Sequence, residues 1–187
     1  DVERSRGLGD VYKRQTYDFK DEARGEINPS MYFRKNLDLH ANIRPARTYP
    51  GMQARLGEFD LVVVRENTEG FYADRNIASG GSEMLITPDV VVSLRRITRQ
   101  CCERIARTAF ELAMTRNKHV TMVHKANVLK LGDGMFLEMC RQVAAEFPEV
   151  RVDDVIVDAM MAHVVRAPQR YDVIVTTNML SLIHISE

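Results

Sequence analysis

Three arginines fall where strands are expected to begin or end: Arg34 before the first, Arg44 at its end, and Arg65 at the end of the second. Arginine's planar, permanently charged fork suits bidentate recognition of carboxylates, and several forks converging at strand ends would hold an anion with more than one carboxylate. Arginines are also common and usually solvated or ion-paired, so spacing alone leaves both readings open. The stretch VVVRENTEGFY (62–72) sharpens the question: an apolar run stops abruptly at Arg65, then gives two glutamates, an asparagine and a threonine before a glycine and an aromatic pair. A polar task is expected at that strand end. Lys125 closes HVTMVHK (119–125). A lysine at the mouth of a buried strand can lose enough hydration to act as a base near neutral pH, whereas a surface lysine opening a helix cannot; both placements fit the sequence. His124 beside it reads as a packing or hydrogen-bonding histidine, because no histidine or cysteine stands at metal-ligand spacing from it. Asp158 ends VDDVIVD and opens AMMAHVV, where it either caps a helix or offers a hard oxygen to Mg²⁺ or Mn²⁺. One carboxylate does not make a metal site. Asp153 and Asp154 read as solvated loop residues, and Met160 and Met161 as core filling.

Those residues need a scaffold that brings strand ends together. Apolar runs at 37–43 and 59–64 read as strands, the second suited to a sheet covered on both faces. From Pro88 to about 114, apolar residues recur at three- and four-residue steps (Val91, Leu94, Ile97, Cys101, Ile105, Ala109, Leu112), which predicts one long amphipathic helix. Further strands are expected at 119–123, 150–157 and 172–176, and helices at 135–147 and 159–165. This alternation predicts an α/β layer fold. The segment 72–87, with Gly80-Gly81 inside it, interrupts the alternation as a protruding hairpin or arm. The two ends, 1–15 and 180–187, carry no sustained period and read as foreign sequence outside the fold.

Composition narrows the class. The 187 residues carry 26 Lys+Arg and 26 Asp+Glu. That balance leaves no electrostatic footprint for nucleic acid or an acidic membrane surface, so neither is expected as a partner. Three cysteines without metal-ligand spacing are expected to be reduced thiols, and no apolar stretch approaches the roughly 18 residues of a membrane span. A soluble, cytoplasmic protein is the expectation.

Four ordered blocks, FRKNLDLHANIRPAR, DLVVVRENTEGFY, VHKANVLKLGDGMF and VDAMMAHVVRAPQRYDVIVTTN, together resemble the isocitrate and isopropylmalate dehydrogenase family of metal-dependent β-decarboxylating dehydrogenases, over roughly 28–179. The resemblance implies that family's α/β fold. On it, 16–39 is the end of the first part of the large domain and 40–179 the small, dimer-forming domain with its arm at about 72–87. It also implies a malate-like 2-hydroxy di- or tricarboxylate as substrate, NAD or NADP as hydride acceptor, and Mg²⁺ or Mn²⁺. Arg34, Arg44 and Arg65 then become the carboxylate clamp, Lys125 the base that takes the hydroxyl proton, and Tyr72 the acid that protonates the enolate carbon once carbon dioxide has left. Asp158 matches one metal-binding aspartate, and Asn127 an asparagine beside substrate and nicotinamide. In the family the lysine and this aspartate reach across a dimer interface, so a homodimer with shared sites is implied.

The departures matter as much. The family continues past the last strand with two further aspartates, at whose places this chain has Leu182 and Ser186, and its glycine-rich strand-turn and adenine-binding loop have no counterpart here. A fragment, inactive alone, is therefore expected. Within INPSMYF, Ser30 suits a third carboxylate, as in isocitrate-type enzymes, while Met31 suits an alkyl group, as in isopropylmalate-type enzymes. A non-catalytic regulatory subunit of the same fold is the alternative function.

Overall fold

The computed structural model describes residues 33, 36–49, 51, 57–71 and 82–179. Two compact units divide the chain at Leu37 and Asp38, and nearly everything described belongs to the second. Its centre is a five-stranded sheet in the order β1-β2-β7-β5-β6, formed by β1 (Ala41–Arg47), β2 (Asp60–Glu66), β5 (His119–His124), β6 (Arg151–Ile156) and β7 (Val173–Thr176). β2, β7, β5 and β6 run parallel, and β1 joins β2 antiparallel at the edge. The helices are α1 (Arg99–Met114), α2 (Gly132–Ala144) and α3 (Val157–Arg166). This is the mixed α/β architecture that the alternation predicts.

Period-two alternation divides each central strand between two cores. Val62 and Val64 of β2, Val120 and Met122 of β5, and Val173 and Val175 of β7 pack with α1 and α2. Leu61, Val63, Val123 and Ile174 face the opposite side, with Met160 and Val164 of α3. α1 presents Cys102, Ile105, Ala106, Ala109, Phe110 and Ala113 at helical spacing, all in the first core, and Phe110 stacks on Phe147 at 5.6 Å.

Three elements differ from expectation, α2 only in running from Gly132 to Ala144 where 135–147 is expected. The long helix does not begin at Pro88: Pro88 and Asp89 turn a hairpin between β3 (Glu83–Thr87) and β4 (Val90–Ser93). The run Val90-Val91-Val92 is β-branched, so its side chains favour a pleated strand, and the helical spacing of Val91, Leu94 and Ile97 is coincidental. α1 starts after Thr98, whose extended backbone and side-chain oxygen, accepting from the Cys101 amide at 3.3 Å, form an N-cap. The first strand is displaced from 37–43 to Ala41–Arg47 and runs through Pro45, which an edge strand tolerates because its missing N–H costs no ladder bond on the open side. Arg44 consequently sits in the middle of β1, not at its end. Asp153 and Asp154 lie inside β6 rather than in a loop before it.

Candidate active site

The parallel strands all deliver their carboxyl ends to one edge of the sheet, where α/β folds usually place their ligands. Register puts Arg65 of β2 level with Thr176 of β7, and Thr176 level with Val123 of β5. The segments that follow, Glu66 to Gly70, Thr177-Asn178, Lys125 to Gly132 and Asp158, make up that edge.

The polar stretch after β2 is largely self-supporting. The buried Glu66 carboxylate accepts from the Thr68 amide (2.8 Å), the Thr68 hydroxyl (2.6 Å) and the Glu69 amide (2.6 Å), closing a tight turn. Asn67 donates through its side chain to the Leu39 carbonyl at 2.9 Å, tying the turn to the lead-in of β1. Glu69 accepts from the amide (2.8 Å) and hydroxyl (2.9 Å) of Thr98, bracing the start of α1. The acidic and amide groups of this stretch thus fold the strand end around the half-buried Arg65. Arg65 donates to the Asn178 side-chain oxygen, while the Asn178 amide donates to the Glu69 carbonyl at 2.9 Å. Gly70 makes that packing possible: its φ is +86°, and a Cβ there would lie 2.9 Å from Cβ of Asn178.

Lys125 begins the turn after β5. Its carbonyl accepts from Val128 (3.0 Å) and Leu129 (2.8 Å), its amide donates to Asp133 Oδ2 at 2.5 Å, and its ammonium pairs with Asp158. The next amide, Ala126, donates to Nδ1 of buried His124 at 3.0 Å, which leaves Nε2 as the proton-bearing nitrogen that faces Asp154 at 3.2 Å. His124 is thus a hydrogen-bonding histidine. Asp158 is not a cap: Ile156 occupies the N-cap position, and Asp158 sits in the first turn of α3, where the helix dipole favours a carboxylate and Lys125 neutralises it.

Of the residues singled out from the sequence, the structure brings Lys125 and Asp158 into contact and places Arg65 on the same edge, two strands away. Arg44 is exposed on the edge strand opposite Val63, donating through Nε to Asn42 at 3.1 Å. Asn127 is exposed in the Lys125 turn. Ser30, Arg34 and Tyr72, the segments 1–15 and 180–187, and most of the arm lie outside the described residues.

The sequence reading missed Asp133, Arg95 and Asn178. Asp133 is fully buried and takes Arg95 Nη2 on its second oxygen at 2.6 Å, and Arg95 Nη2 also donates to Thr177 at 3.0 Å. The one signal in the sequence was an aspartate inside an otherwise apolar helix start, KLGDGMF. The three cysteines are free and buried; burial holds all their thiols protonated, Cys102 pushed up to about 12.

Sequence comparison decides the family. The isocitrate/isopropylmalate dehydrogenase family model matches residues 11–183. The chain belongs to that family. It is 44% identical over 158 residues to a mitochondrial regulatory subunit of NAD isocitrate dehydrogenase from Dictyostelium discoideum, covering 83% of this chain and 42% of that one. It is 43% identical over 145 residues to 3-isopropylmalate dehydrogenase of Sulfurisphaera tokodaii, covering 78% and 40%. Among solved structures, isocitrate dehydrogenase from Methylococcus capsulatus superposes with a TM-score of 0.73 at 43% identity, over 83% of this chain and 45% of that one. The chain spans about two fifths of the length of these curated relatives. The isocitrate/isopropylmalate dehydrogenase family is in general NAD-dependent and metal-requiring. Among the described residues no three His, Cys, Asp or Glu side chains gather as a metal cage, and Asp158 is engaged by Lys125. The described residues do not by themselves fit a divalent cation. No helix among them is long and apolar enough to cross a membrane.

Proposed function

We propose that the complete protein catalyses NAD(P)-linked oxidative decarboxylation of a malate-like 2-hydroxy acid, isocitrate or 3-isopropylmalate. The observation that carries this reading is the contact between Lys125 and Asp158 at the carboxyl edge of the parallel strands, the edge that also bears Arg65. In this reading Arg65, with Arg34 and Arg44, holds the substrate carboxylates, and Lys125 takes the hydroxyl proton as hydride passes to NAD(P). The β-carboxylate then leaves as carbon dioxide, its bonding pair becomes an enolate, and Tyr72 gives the carbon a proton. Asn127 is the residue assigned to the nicotinamide side, and its exposed place in the Lys125 turn supports that. The divalent ion, Mg²⁺ or Mn²⁺, would draw ligands besides Asp158 from outside the described residues.

A homodimer with sites shared between protomers belongs to the same proposal. Its support is the β3–β4 ribbon, where Met84, Leu85, Ile86, Val90, Val91 and Val92 are all exposed. A two-stranded ribbon is marginal in water unless its apolar face is covered. Residence in the cytoplasm is part of the same proposal. Fractionation of the source cells tests this against the mitochondrial address that the Dictyostelium relative's name carries.

One finding favours a second reading, a regulatory subunit: relatives of Arabidopsis thaliana and Dictyostelium discoideum bearing that name are 46% and 44% identical to this chain. The complete protein, assayed for NAD and NADP reduction with each acid and Mg²⁺ or Mn²⁺, separates the two. Turnover by the protein alone, lost in Lys125→Ala, supports the enzyme. No turnover alone, but a changed rate in a catalytic subunit mixed with it, supports the regulatory role.

A further inference from the structure

We propose that Asp133 is the positioning residue of the Lys125 base: a buried carboxylate that fixes the backbone from which the lysine projects. This rests on the assignment of Lys125 as the base. Asp133 has no solvent exposure, so its charge must be answered entirely by neighbours. Oδ1 accepts from Arg95 Nη2 at 2.6 Å and Oδ2 from the Lys125 amide at 2.5 Å. Hydrogen bonds to an ionised acceptor are shorter and stronger than neutral ones, so the lysine backbone is held more firmly than a neutral acceptor would hold it.

The carboxylate is itself held. Arg95, nearly buried, carries the same Nη2 on to Thr177 Oγ1 at 3.0 Å, so the end of β7 and the end of β5 are tied through one guanidinium. Gly132 clears its path, since a Cβ there would lie 3.2 Å from Arg95 Nη1. His124 supplies a second hold one residue on, through the Ala126 amide. None of these side chains needs to touch a substrate. Their effect is to restrict where the Lys125 amine can go, and catalytic geometry is sensitive to displacements of about 1 Å.

The test uses the chain with ¹⁵N-labelled lysine, wild type and Asp133→Asn, together with the complete protein. In the wild type the Lys125 amide proton is expected far downfield of the other lysine amides and slow to exchange. In Asp133→Asn it moves upfield and exchanges faster by about tenfold or more, while the Lys118 amide, bonded to the Ala113 carbonyl at the other end of β5, is unchanged. Acetylation of the Lys125 amine, read by peptide mass spectrometry against Lys130, rises in the same variant. In the complete protein kcat falls while KM is little changed, the mark of an interaction felt at the transition state. An ordinary, fast-exchanging Lys125 amide in the wild type overturns the proposal without any variant, so a variant that fails to fold does not rescue it. A lost amide bond with unchanged acetylation and kcat also overturns it. If the complete protein turns over none of the acids, the enzymatic reading fails, and the amide and acetylation results still decide whether Asp133 positions Lys125.

Discussion

The carboxyl edge of the parallel sheet and the β3–β4 ribbon solve the same problem in opposite ways. At the sheet edge, most buried polar groups find partners within the chain: Glu66 closes its own turn, Glu69 braces the Thr98 cap of α1, and Asp133 joins Lys125 to Arg95. In the ribbon every strand residue is exposed, and apolar side chains project without a core beneath them. Internal satisfaction holds the first region in one geometry. Its absence leaves the second as the surface on which the proposed dimer contact would form.

The largest effect expected from breaking this contrast is catalytic. Lys125→Ala in the complete protein should lower kcat by about 10²- to 10⁴-fold, the usual span for a general base, with steady-state kinetics as the check. Next comes the core under the sheet: Phe110→Ala should cost about 3–5 kcal/mol in urea unfolding, because Phe110 is fully buried and stacked on Phe147. Gly70→Ala should cost about 1–3 kcal/mol by the same measurement, from its left-handed backbone and the 2.9 Å approach to Asn178. Alkaline pH probes the buried thiols. Burial raises the folded pKa of Cys102 from 9.0 to about 12, so the folded state binds the proton more tightly than the unfolded chain does. Its stabilising contribution is complete below pH 9.0 and lost as pH rises through about 12, which chemical denaturation across that window will show. At about pH 8 the thiols should react with a disulfide reagent only as fast as the chain opens. The smallest effect on the fold belongs to Leu85→Ser in the ribbon, within about 0.5 kcal/mol for the monomer. Sedimentation should nonetheless show weakened self-association; an undiminished dimer would remove the ribbon from the interface.

The sequence is most legible where one physical rule acts alone. β2, β5 and β7 are short apolar runs bounded by polar residues, and the expected spans differ from the observed ones by only a residue or two. α1 is readable throughout, because burial follows the helical period, and the expected helix is too long only at its start, where a β-branched run mimicked that period by chance. β1 was displaced because edge pairing with β2 decides its register and admits Pro45. At the site, Lys125 was legible as a strand-end residue, whereas Asp158, expected to close a strand, lies in the first turn of α3; the roles of both are those that the family resemblance implies. Arg44 was legible as a residue and not as a place. Asp133 showed only its place in a helix start, and its pairing, like that of Arg95 and Asn178, was illegible for a physical reason: Arg95 meets Asp133 across 38 positions, and Arg65 meets Asn178 across 113, distances over which residue type carries no pairing signal.

The ribbon also bears on how quickly the protein must find its place. Among the described residues, both long edges of the β3–β4 sheet have open backbone groups beside valine, leucine and isoleucine, the pattern that templates further strands. On the proposed dimer, newly made chains would run a race between two second-order events, docking and indiscriminate strand addition. Slower synthesis at lower temperature lets folding of the sheet body finish before that race is crowded, so the soluble yield should depend on the rate of expression as much as on the stability of the fold.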